Sequence, residues 1–124
     1  MTRDHPDGMD ALAARLRAFA SDRDWDQFHT PKNLAMALSG EVGELVAELQ
    51  WLTPEQSASV MDDAEAAERL RGEIADVLIY LVRLCDVLGV DPVAAAQAKV
   101  DVGERRYRAE EYRGRADKAP QLPR

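Results

Sequence analysis

The chain is 124 residues long, 46% hydrophobic and carries a net charge of −7, with no apolar run near the roughly 20 residues a membrane-spanning helix needs. That charge excludes a broad nucleic-acid surface, which requires clustered cations. A lone Cys85 excludes an internal disulfide, and the charged start MTRDHPDGMD lacks the apolar stretch of a signal peptide, so a reducing cytoplasm is the expected compartment.

The hydrophobic period is helical throughout and no segment alternates as a strand would, so the expected fold is all-α. Residues 1–124 read as a single domain, with an ordered core over about 9–113 and a loose tail, ADKAPQLPR. Helix one is expected from about Met9 to Ala20, with Leu12, Leu16 and Phe19 on one face. SDRDWDQFHT reads as a loop, and Thr30-Pro31 is an N-cap with proline at the first helical position, opening a helix that runs to about Trp51. Thr53-Pro54-Glu55-Gln56 resembles a capping box and predicts a short helical turn. A third long helix is expected from about Asp63 to Leu88, stopped by Gly89 in the left-handed conformation and carrying Cys85 as core filler. Asp91-Pro92 opens the last helix, which fades near Arg106 to Arg113.

At about 100° per residue, the second helix carries the apolar stripe Leu38, Val42, Leu45, Leu49 and Leu52, with Glu41, Glu44 and Glu48 along one flank. The third carries Leu70, Val77, Leu81, Leu84 and Leu88, bordered by Glu73, Asp76 and Tyr80. Each helix thus sets a carboxylate pair at i, i+3 beside its buried face, and antiparallel packing would bring the two pairs together. Four carboxylates near a core repel, and they would take up protons unless cations neutralise them. All-oxygen ligands suit Mg²⁺ or Mn²⁺; His5 and His29 lie far from the pairs in sequence and Cys85 is isolated, which disfavours zinc. The bland alternative is a solvated acidic face. The basic stretch from Lys99 to Lys118 leaves two readings open as well, a solvated tail and phosphate capture.

Glu41-x-x-Glu44 followed by Glu73-x-x-Asp76 resembles the acidic signature of the MazG-like all-α nucleoside triphosphate pyrophosphohydrolases. The resemblance continues through WDQFHTPKNLAMALSGEVGELVAELQWL, GEIADVLIYLVRLCDVLGVD and KVDVGERRYR, and is nearest to the dCTP pyrophosphatase branch. It implies cleavage of a nucleoside triphosphate between the α and β phosphates. By position it makes Glu41, Glu44, Glu73 and Asp76 the magnesium ligands, one of which orients or deprotonates the attacking water, and leaves Glu48 as a surface acid. It assigns Trp25, His29, Trp51 and Tyr80 to a nucleobase pocket, Asn33 to polar contacts with base or sugar, and Lys99 and Tyr107 to the phosphate side, with Arg105, Arg106 and Lys118 as weaker phosphate candidates. Gly103 stands where relatives carry Asn, Arg108 where proline is frequent and Ala47 where a further Glu is common. These departures bear on the choice between dCTP, a modified cytosine nucleotide and another non-standard nucleotide, not on the metal ligands.

Four helices give a thin core, so an oligomer built from a helical bundle is expected. The resemblance implies a homodimer or homotetramer. A non-catalytic helical adaptor, its acids serving only solubility, is the competing class. A ferritin-like metal protein is a second competing class; it needs Glu-x-x-His pairs, and the sequence has none.

Overall fold

A computed structural model describes residues 7–124; the charged start and His5 lie outside the described residues. The fold is all-helical, with no strand among those residues. In chain order the helices are α1 (Met9–Asp22), α2 (Pro31–Leu49), α3 (Pro54–Ala58), α4 (Ala64–Leu88), α5 (Pro92–Arg106) and α6 (Ala109–Tyr112), with a 3₁₀ turn at Val60–Asp62. The four expected helices are present. The short α3 is the turn that the Thr53 signal announced, and α6 is an added turn in the region where the last helix was expected to fade.

Local chemistry explains the boundaries. The Thr30 hydroxyl accepts from the Asn33 N–H at 3.2 Å with Pro31 behind it, and Thr53 and Gln56 form a reciprocal capping box. The Asp63 carboxylate accepts from the N–H groups of Glu65 and Ala66, both at 3.0 Å, at the start of α4. Gly89, at φ 70°, ends that helix in the conformation glycine tolerates best. No helix among the described residues is long and apolar enough to cross a membrane.

The chain forms two compact units, one ending at Val90 and one spanning Asp91–Arg124. In the first, α4 is the central element; α2 packs along it and α1 joins it. The pairing of α2 with α4 is antiparallel, since Glu48 meets Arg69 near the start of α4 while Glu41 meets Asp76 further along. The core is small: Ala20, Leu34, Ala67, Leu70 and Val82 are buried. The expected stripes are only partly covered, because Val42, Leu81 and Leu88 stand exposed while Val82 and Arg83, off the stripe, are buried. Two partners do not suffice to cover a stripe that wide. Cys85 is half-buried rather than central.

In the second unit, Arg106 donates to the carbonyls of Ala119 and Pro120 at 2.7 and 3.2 Å, tying the C-terminal segment to α5. Tyr107 and Tyr112 meet edge to face with ring centroids 5.1 Å apart, and Arg115 stacks on Tyr112. The tail expected to be loose therefore has defined contacts.

Candidate active site

Helical spacing places Glu41 and Glu44 on one border of α2, and Glu73 and Asp76 on one border of α4. The antiparallel register then brings the pairs face to face. Carboxylate oxygens of Glu41, Glu73 and Asp76 lie within 4.8 Å of one another. The charge of Glu44 bears on both Glu41 and Glu73.

The electrostatics are those of crowded acids. Glu41 is held above the usual carboxylate range, first by desolvation and then by the charges of Glu44 and Asp76. Glu73 is raised in the same direction, again by desolvation first and then by Glu44. Although both side chains reach the surface, one oxygen of each, Oε2, is shut off from solvent and has no hydrogen-bond partner. Shielded lone pairs without donors want a cation. The oxygen-only donor set and the close grouping fit a hard divalent ion. Glu48 differs from its neighbours: it accepts from Arg69 Nε at 3.2 Å and so has its own countercharge.

Beside the acids lies a cavity of about 450 Å³, to which Glu41 and Asp76 contribute. Its other walls include Phe19, Trp25, His29, Ile79, Tyr80 and Arg83. The loop after α1 builds the aromatic wall. Asp24 takes φ 54°, a left-handed geometry that Asp tolerates, and the Trp25 N–H donates back to Ala20 O at 2.9 Å. The indole is thereby folded against Phe19, with centroids 5.6 Å apart, and against His29 at 6.3 Å, both edge to face. Such a slot, with acids at one side and aromatic faces at the other, is suited to a ligand with a flat ring and a metal-binding anionic end.

Of the residues singled out in the sequence, Glu41, Asp76, Trp25, His29 and Tyr80 line this cavity, with Glu73 and Glu44 beside it. Asn33 does not: its Nδ2 donates to Phe28 O at 3.0 Å and braces the loop. Trp51 projects from the end of α2 at 87% exposure and is not part of the wall. Lys99 and Tyr107 belong to the second unit, as do Arg105, Arg106 and Lys118.

Sequence reasoning missed Arg83 and the wall supplied by α1. Leu12, Leu16 and Phe19 share one face of α1, as expected, and that face borders the cavity, with Phe19 45% exposed. Periodicity identifies a face but not whether a neighbour or a void lies opposite. An arginine within an apolar helical stretch was the available signal for Arg83, because such a residue is buried only when paired.

No family model matches the chain. The chain is 44% identical to dCTP pyrophosphatase 1 of Bos taurus and of Homo sapiens, over 110 residues that make up 88% of it. It spans 65% of the length of these curated relatives. A solved pyrophosphatase from Archaeoglobus fulgidus is 38% identical and superimposes with a TM-score of 0.75, over 87% of this chain and 99% of that one.

Proposed function

The chain belongs to the MazG-like all-α pyrophosphohydrolases, and on that premise we propose that it hydrolyses a deoxynucleoside triphosphate, dCTP or a modified cytosine nucleotide, to the monophosphate and pyrophosphate. The observation that carries this reading is the convergence of Glu41, Glu73 and Asp76 beside an aromatic cavity, with the charge of Glu44 bearing on the first two.

In this reading the four carboxylates would hold Mg²⁺, with Mn²⁺ as the alternative; among them Glu41 and Glu73 each offer an oxygen that has no donor. The bound ion supplies charge neutralisation for the triphosphate and a lowered pKa for coordinated water. The carboxylates fix where the α and β phosphates sit, and one of them orients the attacking water and accepts its proton. Trp25, Phe19 and Tyr80 offer faces and edges to the base. Asn33, Trp51, Lys99 and Tyr107 are proposed as further substrate contacts on the strength of the sequence resemblance.

Residues 1–124 act in this proposal as one nucleotide pyrophosphohydrolase domain in the cytoplasm. The functional unit is a homodimer or homotetramer. Met36, Val46, Trp51 and Ile74, all more than half exposed, supply the apolar surface that self-association would cover. Neither a nucleic-acid nor a membrane partner is proposed.

The test is a panel of ribo- and deoxynucleoside triphosphates with Mg²⁺, read by pyrophosphate release. dCTP or a cytosine analogue should be the best substrate, and EDTA should abolish turnover. Absence of release from every nucleotide, or turnover that survives EDTA, would overturn the reading and favour the non-catalytic adaptor.

A further inference from the structure

Arg83 is the one charged residue that is buried among those described, and the acid-centred chemistry does not use it. Its Nε–H donates to His29 Nδ1 at 3.1 Å, its Nη2–H to Asp26 Oδ1 at 2.7 Å and its Nη1–H to Asp86 Oδ2 at 3.2 Å. Asp86 is gripped from the other side by Arg17, whose Nε and Nη2 donate at 2.9 and 2.6 Å. Every donor on the Arg83 fork that these bonds engage has an acceptor, and two carboxylates balance its charge.

A guanidinium has five N–H groups and nothing to accept with. The ring nitrogen facing Nε must therefore be the unprotonated one, which leaves the His29 proton on Nε2. Burial and the adjacent Arg83 charge both push the imidazolium to lower pH, with Asp26 opposing, so the ring favours its neutral form. His29 and Arg83 both line the aromatic cavity.

We propose that Arg83 is a positioning residue that locks His29 as a neutral Nε2–H donor, so that the cavity selects a base presenting an acceptor atom to that nitrogen. The inference rests on the nucleotide reading of the cavity. Cytosine offers an unprotonated ring N3 between its exocyclic groups, whereas the corresponding nitrogen of thymine carries a hydrogen. A fixed donor meeting that hydrogen leaves two buried donors unpaired, a mismatch that costs roughly 5- to 150-fold in affinity. A histidine free to exchange tautomers would accept either edge; the Arg83 contact removes that freedom.

Histidine-labelled protein tests the lock without any nucleotide, through long-range ¹H–¹⁵N correlation spectra in which the His29 signals are assigned by their loss in His29→Gln. The parent should show a single Nε2–H pattern, and Arg83→Met should show mixed tautomers. Arg83→Lys keeps the charge but not the planar fork, so it should also mix them, and it is the variant to read if Arg83→Met does not fold. In kinetics, Arg83→Met should erase the preference for dCTP over dTTP, worth roughly 5- to 150-fold, chiefly by lowering KM for dTTP, as expected when binding common to ground and transition states is altered. An Nδ1–H pattern in the parent, or a single Nε2–H pattern that persists without the guanidinium, overturns the proposal. A parent protein that cleaves dCTP although its His29 is unlocked sinks the role of Arg83 alone; a locked His29 in a parent that cleaves no nucleotide sinks the function on which it rests.

Discussion

Glu41 and Glu73 face each other across the antiparallel α2–α4 pair, each with one carboxylate oxygen shut off from solvent and without a donor. Both carboxyls are also pushed upward by desolvation and by Glu44. An arrangement that is costly in the free protein becomes favourable when a divalent cation satisfies those oxygens.

Replacing Glu73 by Gln removes one charge from this group and nearly keeps its shape. The metal-free variant should melt at the same temperature as the parent or higher, because repulsion is relieved. Pyrophosphate release should fall by more than about 100-fold, since even residues one shell outside a metal cost about 10–100-fold. Near-normal turnover by Glu73→Gln would remove it from the metal site.

The raised carboxyls also set a pH dependence. A group whose folded-state pKa lies above its unfolded value adds stability that is fully present below the unfolded pKa and is lost as pH rises through the folded one. For Glu41 and Glu73 the loss begins above the ordinary carboxylate value of 4.5. The melting temperature of metal-free protein should therefore decline as pH rises from about 5 toward neutrality, and saturating Mg²⁺ should flatten or reverse that slope. Calorimetric scans with EDTA and with Mg²⁺ check this. Superimposable profiles would mean that the acids are merely a solvated face. Asp86, held low chiefly by its hydrogen bond from Arg17, has the opposite sign: its contribution is present above 3.8 and disappears only as pH falls through its lower folded value.

Trp25 closes the cavity against Phe19 and His29. Trp25→Ala should raise KM for the best nucleotide by roughly 5- to 150-fold, the equivalent of about 1–3 kcal/mol per stacked base, with a much smaller effect on inorganic triphosphate. Steady-state kinetics on both substrates separates base contact from scaffolding. Equal losses on both would make the indole a packing residue only.

The core is limited to a few small and medium side chains, with Met36, Val46 and Ile74 largely exposed, and the proposed self-association would tie folding to assembly. Dilution over about two orders of magnitude should lower the melting temperature, and sedimentation should give a dimer or larger species at micromolar concentration. A monomer with a concentration-independent melting point contradicts the expectation.

Much of the local architecture was legible before any coordinates. Thr30-Pro31, Thr53 with Gln56, Asp63, Gly89 and Asp91-Pro92 each satisfy or terminate backbone groups within a few residues of themselves, so their consequences are local and can be read from the chain. The same holds for the acid pairs: a spacing of three puts two side chains on one helical face wherever the helix goes. By itself the sequence therefore determined the helices, their caps and the candidate metal ligands. Tertiary structure decided which faces meet. The antiparallel register joins Glu41 to Glu73 and Asp76, the Phe19 face of α1 walls a cavity, and Arg83 is buried against His29, Asp26 and Asp86. Those outcomes depend on contacts between residues as far apart in the chain as Arg17 and Asp86; a helical period reports the direction of a side chain about its own axis and carries no information about the neighbour it will find there.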